Sequence, residues 1–345
     1  MKNHLINSKV TLQEAIQRLD RLAVDAILFV IDEDFKLMGS ITDGDVRRAF
    51  INGKQMNSEV HEIMNNRPKF LLFGAINTEK TREYREKNFK IIPIVNEDHQ
   101  VVEILNFRLK KALLPLDVVI MAGGRGTRLL PITEKIPKPL LKVGEKPIIE
   151  HIIDGLITYG ITTIHISINH LGHLIKETLG DGSMKGITIN YIEENQPLGT
   201  IGALSLKKSI THPHTLVLNS DLLTSLNYEE YFIDFLQKKA DFSAVGIPYK
   251  VNVPYGIFEM KNDRIVHIRE KPTYTYFSNG GIYLFKSELI EKIPEGKTYL
   301  ATEFIDDLIA DDKKVISYSL YDYWLDIGSH SDFKKAQTDV KKYEN

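Results

Sequence analysis

After residue 116 the chain alternates short β-branched runs with longer amphipathic ones, and this alternation leaves few folds open to it. The runs "DVVIM" (117–121), "TTIHISIN" (162–169), "GITINYIEE" (186–194) and "HTLVLNSD" (214–221) have the length and composition of strands. Between them, "PIIEHIIDGLITYG" puts Ile148, Ile149, Ile152, Ile153 and Leu156 on one helical face. Gly160 closes it, as suits the residue after a helix end. "HLIKETLGDG" and "TIGALSLKKSI" read as further helices. Repeated strand–helix units predict an open, largely parallel sheet covered on both faces. Ligands of such sheets bind beyond the carboxyl ends of the strands, often where strand order reverses.

The segment after the first of these strands, "AGGRGTRLLPITEKIPKPLL", starts at such an end. Gly123, Gly124 and Gly126 strip the turn of side chains, so a ligand can approach the backbone. Successive exposed N–H groups there make an anion-binding concavity. Arg125 and Arg128 add guanidinium groups, which suit phosphate oxygens. The local physics points to a polyphosphate. It is not a P-loop, because no Lys-Ser or Lys-Thr follows the second glycine. Leu129 stands where a dinucleotide fingerprint needs its third glycine, which argues against a dehydrogenase.

Bulk properties narrow the field further. The chain has 345 residues, enough for two domains. A net charge of −2 provides no general field for nucleic acid. Cysteine is absent, which excludes disulfides and thiolate metal sites. No apolar run reaches the ~20 residues of a membrane span, and "MKNHLINSKVTLQEA" lacks a signal-peptide core. A soluble, cytoplasmic protein is expected.

The longer pattern "AGGRGTRLLPITEKIPKPLLKVGEKPIIEHII" resembles the signature of the sugar-1-phosphate nucleotidyltransferases, and the likeness runs through residues 116–338. The resemblance implies a Rossmann-like, GT-A-like α/β domain over 116–345. Its activity would be Mg²⁺-dependent condensation of an NTP with a sugar 1-phosphate. Carried onto this chain, the loop Gly123, Gly124, Arg125, Gly126, Thr127 holds the triphosphate. Arg128 and Lys138, the latter between Pro137 and Pro139, are the catalytic cations. Asp221 and Asp326 are the metal ligands. In "IEENQPLGTIGAL", Gln196, Pro197, Leu198 and Gly199 wall the base. On the sugar side, "PYGIFEM", "REKP" and "SNGGIYLF" contribute Gly256, Glu270, Lys271, Asn279 and Gly280. Read without the family, Glu270 and Lys271 could equally be an exposed charge pair. Trp324, the sole tryptophan, reads as core. Two departures stand out: Gly280 replaces the alanine of many relatives, and no hexapeptide repeat follows Asp326.

Residues 1–113 follow another logic. "DAILFVIDEDFKLMGSIT" is echoed by "KIIPIVNEDHQVVEIL", so each half reads as helix, strand, acidic turn, strand, helix. Thr11 or Ser8 would cap the first helix. The repeat resembles a tandem CBS domain pair, a module that often binds adenine nucleotides such as AMP or ATP. In "GSITDGD", Thr42 and Asp45 match the ribose and phosphate contacts; without a ligand, Asp43 or Thr42 would simply cap the helix that follows. The second copy has Asn106 where Thr or Ser is expected and lacks the closing Asp, so one site at most is expected.

The combination resembles enzymes that make GDP-glucosamine from glucosamine 1-phosphate for nonulosonic (legionaminic-type) acids. "PLGTIGAL" with "LNSD" favours GTP. Mannose or glucose 1-phosphate are alternative acceptors. A catalytically silent adenylate sensor that binds a nucleotide sugar is the alternative of another class. A homo-oligomer is expected, since CBS pairs commonly associate.

Overall fold

The computed structural model describes residues 2–73, 78–206 and 211–340. It divides into two compact units, with the boundary at Leu113 and Leu114 and the short segment Thr158–Gly160 grouped with the first.

The first unit is built twice on one plan. Strand β1 (Leu5–Asn7), helix α1 (Leu12–Leu22), strands β2 (Ile27–Ile31) and β3 (Leu37–Thr42) and helix α2 (Asp43–Ile51) make the first half. Strand β4 (Leu71–Leu72), helix α3 (Thr78–Glu86) and strands β5 (Ile91–Val95) and β6 (Val101–Asn106) make the second. Each half has a three-stranded sheet, β1-β2-β3 or β4-β5-β6, with a parallel pair and an antiparallel hairpin. The hairpin turns match in detail. Asp32 Oδ1 accepts from the N–H of Asp34 and Lys36, as Asn96 Oδ1 does from Asp98 and Gln100. Phe35 and His99 take the left-handed conformation at equivalent places (φ 63° and 62°). A short side-chain acceptor that closes the turn is the shared cause. Thr11 caps α1 through Glu14 N–H.

One expected element is missing from the repeat. No helix follows β6; residues 107–113 run as turn and coil. Asn106 Oδ1 captures Arg108 N–H at 2.9 Å, an Asx turn that competes with a helical start, and Pro115 holds Leu114 extended.

The second unit contains, in order, β7 (Asp117–Met121), the small hairpin β8 (Lys142–Val143) and β9 (Lys146–Pro147), α4 (Ile148–Thr158), β10 (Thr163–Ile168), α5 (Gly172–Leu179), β11 (Thr188–Glu193), β12 (His214–Asn219), β13 (Leu222–Thr224), α6 (Tyr228–Gln237), β14 (Phe242–Asn252), β15 (Ile257–Lys261), β16 (Arg264–Arg269), β17 (Thr273–Lys286), α7 (Ala301–Ala310), β18 (Val315–Ser319), β19 (Trp324–Asp326) and α8 (His330–Asp339). Seven strands form one sheet in the order β11-β10-β7-β12-β17-β14-β18. Only the pairs of β17 with β12 and with β14 are antiparallel. The sheet is thus the mostly parallel one expected. The chain runs from β7 outward to β10 and β11, then returns to the other side of β7 as β12. That reversal opens a crevice between the carboxyl ends of β7 and β12.

Two cores support the crevice. Val119, Val217, Phe242, Phe285 and Phe304 lie in one, and Leu129, Leu141, Leu325 and Ile327 in the other. The helix expected over 200–210 appears as a 3₁₀ segment, Gly202–Leu206, while residues 207–210 lie outside the described residues. Among the described residues no helix is long and apolar enough to cross a membrane.

Candidate active site

β7 is entirely apolar after Asp117 because both faces of the sheet are covered there. The strand therefore delivers "AGGRGT" to the crevice as a loop. Gly126 adopts φ 63° and starts a 3₁₀ turn, Thr127–Leu129. Thr133 Oγ1 donates to Gly126 O at 2.9 Å and ties the loop down. Leu129 is fully buried, while Thr127 and Arg128 just before it are exposed.

A cleft of about 430 Å³ opens over this loop. Its lining includes Gly123, Gly124, Gly126, Thr127 and Arg128, with Lys138, Pro197, Leu198, Gly199, Asp221 and Asp326. Residues more than two hundred positions apart in sequence are thus gathered at the ends of β7, β12 and β19.

Lys138 is the most buried cation here, 8% exposed. Pro137 and Pro139 place it in a tight 3₁₀ turn, Lys138–Leu140. Its ammonium is paired with Asp221 Oδ2 and lies 3.8 Å from Asp326 Oδ1. Asp221 follows β12, and Asp326 ends β19. The short antiparallel pair β13–β19 sets Leu222 opposite Asp326, which brings the two carboxylates together. Burial, and then the neighbouring Asp221 carboxylate, raises the Asp326 carboxyl above the ordinary carboxylate range, against the pull of Lys138 and Arg128. Gly328 keeps room for Arg128, since a Cβ there would lie 2.9 Å from Nη1.

Asp221 Oδ1 and Asp326 Oδ1 are buried and have no hydrogen-bond partner among the described residues. Carboxylate oxygens buried without a hydrogen bond are costly unless a cation meets them, and the Lys138 ammonium reaches only Asp326 Oδ1, at 3.8 Å. A hard divalent ion fits this donor set. No group of three or more His, Cys, Asp or Glu among the described residues could hold a metal. Such an ion would therefore complete its shell with water and substrate phosphate.

The wall formed by 197–200 is clamped from below. Tyr299 N–H donates to Leu198 O at 2.9 Å, Thr298 Oγ1 to Pro197 O at 2.9 Å, and Ala301 N–H to Thr200 Oγ1 at 2.8 Å. Gly199 has φ 81°, and a Cβ there would sit 2.6 Å from Tyr299 O. Gly199→Ala is expected to cost about 1–3 kcal/mol through both effects. A lowered melting temperature is the expected readout.

Other candidates are placed elsewhere. Arg125 is exposed and does not line the cleft, because Gly126 turns the chain just after it. Gln196 is exposed and donates to Gly296 O at 2.9 Å. Gly256, Glu270 and Lys271 sit at the turns that lead into and out of the β15–β16 hairpin, outside the cleft lining. A Cβ on Gly256 would lie 2.9 Å from Glu270 Oε2, so these two are neighbours. Asn279 is tied to its own strand: it donates to the Tyr283 hydroxyl at 2.8 Å and accepts from Gly281 N–H at 3.0 Å. Gly280 is buried and its carbonyl accepts from Trp324 Nε1 at 2.9 Å, so the tryptophan is half-buried structure. In the first unit, Asp45 Oδ2 accepts from Thr42 N–H and Thr42 Oγ1 at 2.8 and 2.7 Å, and Arg48 binds Oδ1 at 2.6 Å. Both residues are engaged in capping α2.

Sequence reading overlooked Glu194. It is 8% exposed, lines the cleft, accepts from Leu198 N–H at 2.9 Å and is bonded to Ser167 Oγ. A Cβ on Gly123 would sit 2.6 Å from its Oε1, so this carboxylate also explains that glycine. Its sequence signal, a Glu just after a strand, is too common to single out.

The geometry agrees with what the chain is similar to. The nucleotidyl transferase family model matches residues 117–343, and the CBS domain model residues 4–52. The chain is 30% identical over 227 residues to the mannose-1-phosphate guanyltransferase of Schizosaccharomyces pombe, covering 63% of this chain and 62% of that relative. The chain thus spans less than two thirds of that relative's length. It is 29% identical over 236 residues to the D-glycero-alpha-D-manno-heptose 1-phosphate guanylyltransferase of Aneurinibacillus thermoaerophilus, covering 66% of this chain and 100% of the relative. The crystal structure of HddC from Yersinia pseudotuberculosis complexed with GMP-PN aligns with a TM-score of 0.52 at 27% identity, over 65% of this chain and 99% of that one. From loop, crevice and match together, the chain belongs to the nucleotidyl transferase family and carries a CBS domain at its N-terminal end.

Proposed function

We propose that the chain transfers a nucleotidyl group from an NTP, GTP by preference, to a hexose 1-phosphate. The acceptor we favour is glucosamine 1-phosphate, giving GDP-glucosamine for nonulosonic (legionaminic-type) acids. The observation that carries the reading is the meeting of a glycine loop, Arg128, Lys138 and two orphaned carboxylate oxygens in one cleft. The guanylyltransferase names of the relatives support GTP. The same names favour mannose or a manno-heptose 1-phosphate as the second reading.

In the reaction, a phosphate oxygen of the sugar 1-phosphate bonds to the α-phosphorus of the NTP. The bond from that phosphorus to the α–β bridging oxygen breaks, and pyrophosphate leaves with the electron pair. Backbone N–H groups of 123–128 hold the β- and γ-phosphates, and Arg128 adds fixed positive charge. Lys138 exchanges Asp221 for the α-phosphate and offsets the charge that develops there. Asp221 and Asp326 would hold Mg²⁺, which when bound would neutralise phosphate charge and order the phosphates. The wall at 197–200 holds the base. Gly256, Glu270, Lys271, Asn279 and Gly280 would form the sugar side, which requires the β15–β16 region to approach the cleft and Asn279 to exchange its bonds to Tyr283 and Gly281. Alignment of the two reactants alone can supply about 7–11 kcal/mol.

The test is pyrophosphate release with Mg²⁺, crossing GTP, CTP, UTP, dTTP and ATP against the 1-phosphates of glucosamine, N-acetylglucosamine, mannose, glucose and manno-heptose. Release confined to GTP with glucosamine 1-phosphate is the expected result. Release with GTP and another sugar keeps the reaction and replaces the acceptor. No release from folded protein overturns the transferase reading in favour of a nucleotide-sugar sensor.

Residues 1–113, in this proposal, form a tandem CBS pair that regulates the 116–345 catalytic part. Thr42 and Asp45 would take up AMP or ATP there. The clusters around Phe242 and around Leu129 draw on residues from 119 onward. A chain starting at Leu114 is therefore expected to keep part of the transferase activity. Complete loss in a truncation that still melts cooperatively would place part of the site in residues 1–113.

A further inference from the structure

Lys138 and Asp326 stand on the same small core. Lys138 lies between Leu129 and Leu141 in sequence, and Asp326 between Leu325 and Ile327. All four flanking residues are buried in one cluster, which Ala336 of α8 and Val340 just after it complete. The 3.8 Å between Lys138 Nζ and Asp326 Oδ1 therefore depends on how α8 packs against the segment 129–148.

Packing alone leaves such a segment free to slide, because apolar attraction is non-directional. Directional bonds fix its register, and Gln337 supplies two of them. Its Oε1 accepts from Gly144 N–H at 3.1 Å, and its Nε2 donates to Lys142 O at 2.5 Å. These groups lie on either side of Val143 in β8, so the side-chain amide takes the place of a neighbouring strand's peptide group. β8 needs the help. Its partner β9 is short and includes Pro147, which has no N–H to give. At the other end of α8, His330 Nε2 donates to Leu130 O at 3.0 Å. The helix thus holds the segment at 130 and at 142–144, before and after Lys138. Its own start is fixed by Ser329, whose hydroxyl accepts from Asp332 N–H at 3.3 Å soon after Asp326.

We propose that Gln337 is a positioning residue for nucleotidyl transfer: through β8 it holds the Lys138 turn in place against Asp326. This role rests on the transferase reading of the cleft.

Gln337→Met in the full-length chain is the test. Methionine is of similar length and suits a helix, but it lacks the amide's paired donor and acceptor. The kcat for pyrophosphate release is expected to fall about ten- to a hundredfold, as for a small misplacement of a group that acts on the reacting atoms. KM for the nucleotide should stay within about twofold, the mark of an interaction made in the transition state. The wall at 197–200 is clamped by 298–301 and not by α8. Backbone hydrogen exchange should quicken over residues 138–144 and stay unchanged in β7, β10 and β12. Lys335→Ala, whose side chain is exposed on the same helix, should match the parent. An active parent whose Gln337→Met variant keeps its kcat overturns this role and leaves the transferase reading standing. So does a variant that loses kcat only together with faster exchange throughout the sheet, which marks a general loss of structure. A parent that releases no pyrophosphate with any pair of substrates overturns the transferase reading, and this role with it.

Discussion

Asp221→Asn is expected to lower kcat by about a hundred- to a thousandfold while leaving the fold in place. The substitution keeps the side-chain shape and removes one charge. In the free protein, Asn Oδ1 can still accept from the Lys138 ammonium, so the local pairing partly survives. What is lost is an anionic ligand opposite Asp326. The orphaned oxygen pair, Asp221 Oδ1 with Asp326 Oδ1, then offers a cation one charge instead of two. Steady-state pyrophosphate release over a Mg²⁺ titration, with a parallel thermal melt, makes the measurement. A right-shifted Mg²⁺ dependence with an unchanged melt is the expected pair of results. Near-normal turnover at ordinary Mg²⁺ would show that the metal is held elsewhere.

Phe304→Ala is expected to have the largest effect on stability, about 3–5 kcal/mol. Phe304 is fully buried and meets Phe242, Phe285 and Tyr299 edge to face at 5.7 to 6.1 Å. Alanine leaves a cavity between α7 and the sheet and forfeits the ring contacts. In a domain of this size the loss corresponds to a fall in melting temperature of roughly 10 °C. Tyr299 is also the residue whose backbone holds Leu198 and Ile201, through bonds of 2.9 and 3.3 Å. The damage should therefore reach the nucleotide wall, and KM for the nucleotide should rise more than KM for the sugar phosphate. An unchanged melting temperature would mean that the surrounding rings close the gap.

The two predictions separate the layers of the molecule. Asp221 belongs to the chemistry proposed from a motif. Phe304 belongs to packing that supports the chemistry from behind and carries no motif. The glycines link the two: Gly123 is small because Glu194 lies against it, and Gly199 because Tyr299 does.

Much of this was legible in the chain itself. Strand β7 falls on "DVVIM" because a short β-branched run bounded by glycine has little choice. The alternation of strands and helices set the parallel sheet, and the doubled acidic turn set the repeat in residues 1–113. Local sequence was a poorer guide where long-range contacts compete with it. The helix expected after β6 yields to an Asx turn at Asn106, and the helix expected from Thr200 begins as a 3₁₀ segment pinned against 297–301. Sequence also named Asp221 and Asp326 without a reason for them to meet. Their meeting depends on β13 pairing with β19 across about a hundred residues. Glu194 had only a signal too common to single out, and the clamp at Tyr299 had none. Local patterns determine which segments form strands, helices and ligand-ready turns, because those choices rest on neighbouring residues. Only the tertiary structure decided which carboxylates meet at Lys138 and which glycines are forced. Those depend on distances between residues the chain order does not bring together.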